Sequence, residues 1–164
     1  MLNIPSVSPF TRRDPLLKAM ERLHDSGIHC GACVGICCTH LANSMKITRK
    51  EAEDIREYLE AEGRWTEEMM ASLRETVRKY RLDQEVGDGR RCLRKTYTCP
   101  FYAGVKLGCT IAPTHKPYGC LAFNPRSAGL TKGGDCVSDV ETLKQVDGGG
   151  EEEKNPIPIA LLNL

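Results

Sequence analysis

One short stretch concentrates the groups that could do chemistry: Cys30-Gly31-Ala32-Cys33-Val34-Gly35-Ile36-Cys37-Cys38-Thr39-His40, four thiols and an imidazole. Thiolates select zinc, copper(I) or iron–sulfur clusters, and imidazole joins most of these. On a helix, Cys30, Cys33 and Cys37 would share a face. At ~1.5 Å rise per residue, the first and last would then stand roughly 10 Å apart along the axis. That is too far for one ion with Zn–S bonds of about 2.3 Å. Either the segment bends, which Gly31 and Gly35 permit, or its thiols serve more than one centre.

Cys92, Cys99, Cys109 and Cys120 follow in a region dense in turn formers, with Pro100, Gly104, Gly108, Pro113, Pro117, Gly119 and Pro125. Such a segment buries little apolar surface by itself, and a metal would supply the missing order. The thiols suit two four-thiolate centres with one cysteine over, or one centre with spare thiols; Cys136 comes last, after Gly133-Gly134. A disulfide framework would need an oxidising compartment. The odd count of 9 cysteines and the adjacent pair Cys37-Cys38 also sit badly with simple pairing. Metal ligation is the preferred reading. His24, His29 and His40 are weaker candidates, since most histidines so placed are ordinary surface or core residues.

The run Cys30-x-x-Cys33-x-x-x-Cys37-Cys38 is similar to the CxxCxxxCC signature of the YkgJ-like cysteine-cluster family, described as zinc- or iron-chelating domains. Ile47-Thr48-x-x-Glu51, Cys99-Pro100-Phe101-Tyr102, Cys109-Thr110-Ile111 and Lys116-Pro117-Tyr118-Gly119-Cys120 resemble its later steps in order, over roughly residues 28 to 125. Ala112, Lys116 and Leu121 depart from the family's usual tyrosine and arginines. Lysine keeps the charge but loses the bidentate fork. The resemblance implies Cys30, Cys33, Cys37, Cys38, Cys99, Cys109 and Cys120 as metal ligands and leaves Cys92, Cys136 and His40 unassigned.

Composition narrows the partners. A net charge of +1 points to neither nucleic acid nor membrane. The basic residues from Arg78 to Lys95 are interrupted by Asp83, Glu85 and Asp88, which suits a solvated surface better than a phosphate contact. No stretch reaches the roughly 18 apolar residues of a membrane span, and the first residues lack the apolar run of a secretory signal. The expectation is a cytoplasmic chain. At 40% hydrophobic and 5% aromatic residues, its apolar core should be modest.

The elements that must carry the thiols are mainly helical. Residues 1–13 read as an extended arm, and Asp14-Pro15 as a helix start with stripe Leu16, Ala19, Met20 and Leu23, stopping at Gly27. Met45-Lys46-Ile47 reads as extended. Thr48-x-x-Glu51 is a capping box for a helix to Glu62, with Ala52, Ile55 and Leu59 buried and Glu51, Glu53, Asp54, Arg56, Glu57 and Glu60 solvated. Thr66 starts a second helix with stripe Met69, Leu73, Val77 and Tyr80, antiparallel to the first, and Trp65 packs in the link. Val86-Gly87-Asp88-Gly89 is a turn signal, and Asp139 to Val146 a short helix. Residues 148–164 read as a flexible linker and an apolar tail, the tail docking on the chain's own core.

The fold expected is a small, mainly α single domain (14–147 as the cysteine-cluster unit) built around a helical hairpin, with irregular metal-pinned loops. The function expected is zinc or iron chelation in a structural, storage or interaction role, the last with a protein partner. The alternative is an iron–sulfur protein with redox or methyl-transfer activity on a protein substrate. The sequence contains no His-Glu-x-x-His motif, serine-triad order or glycine-rich phosphate loop. Whether the chain is an enzyme stays open.

Overall fold

The structure, a computed structural model, describes residues 9–27, 36–84, 95–104, 107–124, 137–146 and 152–164. Cys30, Cys33, Cys92, Cys136, His29 and the turn signal at 86–89 lie outside them. The described chain is mainly helical.

Thr48 and Glu51 close the expected capping box. The Thr48 hydroxyl accepts the Glu51 N–H at 3.2 Å, and Glu51 Oε2 accepts the Thr48 N–H at 2.8 Å. The helix so started, α2 (Arg49–Ala61), buries Ala52, Ile55 and Leu59 completely, and Gly63 turns the chain away at φ +65°. Thr66 accepts the Met69 N–H at 3.2 Å and starts α3 (Glu67–Tyr80). Leu73 is fully buried, while Met69, Val77, Tyr80 and Trp65 pack half-buried against the same core.

Two carboxylates of α2 depart from the expected solvated face: Glu51 and Asp54 are 3% and 4% exposed. Helical spacing alone puts them near water. Partners from distant parts of the chain cover them instead. Asp54 Oδ2 receives Arg13 Nη1 at 2.8 Å, and Glu51 Oε1 receives the Tyr118 N–H at 2.8 Å.

Arg13 belongs to α1 (Pro9–Asp25), which begins at Pro9 rather than at Pro15 and carries Pro15 inside it. Residues 9–13, expected in an extended arm, are therefore helical. Proline within a helix removes one hydrogen bond and crowds the preceding turn. The compensation is tertiary: Arg13 is 1% exposed and also donates to the carbonyls of Lys116 and His115, at 2.9 and 3.4 Å.

The apolar C-terminal stretch docks on the chain's own core. Strand β1 (Lys46–Thr48) pairs antiparallel with the last strand (Lys154–Pro156), Ile47 opposite Asn155. The C-terminal helix (Ile157–Leu162) then buries Ile157, Pro158, Ala160 and Leu161. It packs on both α2 and α3, and these contacts are broader than any between α2 and α3 themselves. The expected pairing of α2 with α3 is thus replaced by packing of each on the C-terminal helix, which supplies the apolar face between them.

A second, smaller core joins Leu16 of α1 to Tyr118, Leu121 and Ala122 of α4 (Tyr118–Ala122) and to Val146 of α5 (Val140–Val146). Asp139 caps α5 by accepting the Thr142 N–H at 3.1 Å, and the Thr142 side chain, then this N–H, hold its carboxyl below the usual range. Between α4 and α5, β2 (Phe123–Asn124) pairs antiparallel with β3 (Val137–Ser138). The C-terminal strand and helix described above are β4 and α6. Among the described residues, no helix is long and apolar enough to cross a membrane.

Candidate metal centre

Three separate pieces of chain carry the described cysteines. Cys37 and Cys38 lie in a 3-10 turn (Ile36–Cys38). Cys99 and Cys109 lie on the two arms of a hairpin that Thr110 N–H to Phe101 C=O (2.8 Å) and Ala103 N–H to Gly108 C=O (2.9 Å) hold together. Gly104 (φ +108°) and Gly108 (φ +65°) take the positive φ angles of its reversal, which L-residues with a side chain rarely adopt. Cys120 is on α4.

Backbone pairing brings the first two pieces side by side: the Cys99 N–H donates to Cys38 C=O at 2.8 Å, and the Tyr97 N–H to Asn43 C=O at 2.9 Å. Asn43 Nδ2 donates back to Tyr97 C=O at 3.0 Å. The Tyr97 hydroxyl donates to Met45 C=O at 2.6 Å and accepts the Ile157 N–H at 3.0 Å, joining the site to β1 and α6. Burial pushes that phenol well above its ordinary range. Tyr97 and Asn43 attract no notice in the sequence, because their bonds join segments more than fifty positions apart.

All five described cysteines (Cys37, Cys38, Cys99, Cys109 and Cys120) are free and half-buried, and all line one cavity of about 80 Å³. Its walls are otherwise mostly apolar, with Met45, Phe101, Ile111 and Ile157, and Lys116 contributes a cation. The Cys37 and Cys38 sulfurs are 4.0 Å apart. Four thiolates about 2.3 Å from a zinc make a tetrahedron with edges of about 3.8 Å.

The Cys109 sulfur accepts a hydrogen bond from the Ile111 backbone N–H, two residues ahead, at 3.4 Å. Burial pushes Cys99 up to about 12, with Cys109 and Cys37 adding to the rise and the Phe101 backbone opposing it. Burial also lifts Cys120 well above the ordinary thiol range, as do Cys99 and Cys109. Cys37 is raised first by its hydrogen bond with Cys38, then by burial. Lys116 pulls Cys37, Cys99 and Cys120 the other way. Cys37, Cys99 and Cys120 are thus held toward the protonated form, and a bound cation would favour their thiolates.

Cys30 and Cys33 lie outside the described residues. Among the described residues, no group of three or more His, Cys, Asp or Glu side chains is arranged to hold an ion. Two of the described histidines are engaged elsewhere. His40 is exposed, its N–H on the Thr98 hydroxyl at 3.0 Å and its ring stacked on Tyr80. His115 bonds Thr114 through Nδ1 at 2.8 Å and tilts against Tyr58. No family model, curated protein or solved structure matches the chain.

Proposed function

We propose that this chain is a cysteine-cluster protein that binds zinc or iron through thiolates. The observation that carries the reading is that all five described cysteines, from three pieces of chain, line one cavity. Their donor chemistry is soft, and the Ile111 N–H already points at the Cys109 sulfur. Cys37, Cys38, Cys99, Cys109 and Cys120 would hold the metal, with Cys30 and Cys33 completing the set that the resemblance to the YkgJ-like family implies. Closure on an ion would use rotation of these side chains. A bound metal would add a second cation to that of Lys116 among these thiols, and would pin the 97–120 segment to the 3-10 turn. The setting that fits is a reducing one such as the cytoplasm, where thiols persist.

An iron–sulfur cluster is the second reading, favoured by the apolar wall and the Ile111 N–H to Cys109 sulfur bond, since hydrogen bonds to sulfur and low solvent exposure both tune such clusters. Anaerobic purification of untagged protein, followed by metal analysis and an absorption spectrum, separates the two. Colourless protein with zinc supports the chelating site. Brown protein with iron and acid-labile sulfide supports the cluster. Folded protein with neither metal sinks both. In either metal-bound form, Cys37→Ser is expected to lower metal content and melting temperature together, and full retention of both removes Cys37 from the ligand set.

A further inference from the structure

Glu51 makes more contacts than a capping residue requires. A capping box needs one side-chain oxygen on the N-cap N–H, and glutamine serves as well as glutamate. Here Oε2 takes both the Thr48 N–H and the Thr48 hydroxyl, at 2.8 and 3.1 Å, while Oε1 accepts the Tyr118 N–H, 67 positions away, at 2.8 Å. Tyr118 opens α4, a helix of 5 residues whose N-cap, Pro117, supplies no side-chain hydrogen bond. A helix this short does not persist unaided. Its third residue is Cys120. The same segment is gripped from α1, where Arg13 bonds the carbonyls of His115 and Lys116 and lays its guanidinium 4.8 Å from the centre of the Tyr118 ring.

We propose that Glu51 is a positioning residue of the thiolate centre: its second oxygen fixes the start of α4, and thereby sets the Cys120 thiol among Cys37, Cys99 and Cys109. The inference rests on the metal-binding reading and adds to it a buried carboxylate that does not itself touch the metal. The Glu51 carboxylate couples two events, the start of α2 and the seating of Cys120. Outer-shell groups that hold ligands in place typically control metal affinity by roughly 10–100-fold.

Glu51→Gln separates the two jobs. The amide keeps one oxygen for Thr48 and turns an NH2 toward the Tyr118 N–H, donor against donor. Zinc affinity, read by competition with a chromophoric chelator, is expected to fall roughly 10–100-fold in this variant. In a Cys120→Ser background the same change is expected to add nothing, because the ligand it positions is gone. In cobalt(II)-loaded protein, Glu51→Gln and Cys120→Ser should lose the same part of the sulfur-to-metal charge-transfer band. Wild-type affinity in Glu51→Gln overturns the proposal, as does an equal loss in both backgrounds. Amide exchange in the wild-type protein tests the tether without any variant. Protection of the Tyr118 N–H comparable to that of Thr48 is expected, and fast exchange at Tyr118 beside slow exchange at Thr48 overturns it. If the wild-type protein binds neither zinc nor iron, the failure belongs to the metal-binding reading, and the exchange measurement still decides the tether.

Discussion

A half-buried thiol and its thiolate are different residues energetically, and Cys99 shows how far apart they stand. Its folded-state value of about 12 lies above the ordinary 9.0 of an unfolded chain, chiefly through burial. In metal-free protein the consequence for stability has a definite sign. Below pH 9 both states hold the proton and the contribution is intact. Between 9 and about 12 the unfolded chain releases a proton that the folded chain keeps, so stability falls as pH rises. Cys120 and Cys37, also raised, act in the same direction. Thermal melts of reduced, chelator-treated protein at about pH 8 and about pH 10.5 are expected to show a lower midpoint at the higher pH. A higher or equal midpoint there places these thiols in water. Metal-loaded protein should run the other way over the same range, since metal binding expels the thiol protons and gains from their scarcity.

At the scale of elements, the short pieces are held by side chains reaching across the fold. Arg13 and Asp54 are a clear case: their guanidinium–carboxylate contact at 2.8 Å joins α1 to α2, and the remaining Arg13 donors hold the carbonyls that lead into α4. Removing one partner of a buried ion pair strands the other charge and typically costs about 3–5 kcal/mol, whereas replacing both with apolar groups is often near neutral. Arg13→Met should therefore destabilise by about 3–5 kcal/mol in urea unfolding, and Arg13→Met with Asp54→Leu should recover a large part of the loss. Equal stability of Arg13→Met and wild type would show the pair to be solvated. The exposed pairs along α2 and α3, such as Arg56–Glu60 and Arg78–Glu75, carry no such expectation, because surface pairs are worth about 0–1 kcal/mol.

For the whole molecule, the apolar core and the thiol cavity share walls. Ile55 of α2, Phe101 and Ile111 of the hairpin and Ile157 of α6 belong to the main core and also line the cavity. On the proposed metal-binding reading, removing the metal is accordingly expected to loosen more than the cysteines. In amide exchange, chelator treatment should raise rates across the 97–120 segment and at Ile157, whose N–H rests on Tyr97, while the middle of α3 changes least. A uniform change, or none, would separate the cavity from the core.

What the sequence determines by itself is local. The Thr48–Glu51 cap, the Thr66 start, the stripe Ala52, Ile55, Leu59 and the turn at Gly63 follow from contacts within about four residues, where spacing dictates geometry. The type and number of the cysteines also raise the expectation of soft-metal ligation. Which of them meet was decided by tertiary structure, as were the burial of Glu51 and Asp54, the helix running through Pro15 and the place of Tyr97. Each of these depends on a partner far along the chain: Glu51 on Tyr118, Arg13 on Asp54 and Lys116, Tyr97 on Ile157. A carboxylate on a helix is spelled the same whether water or a buried arginine will face it. Only the closing of the chain on itself removes the water, and with it the choice.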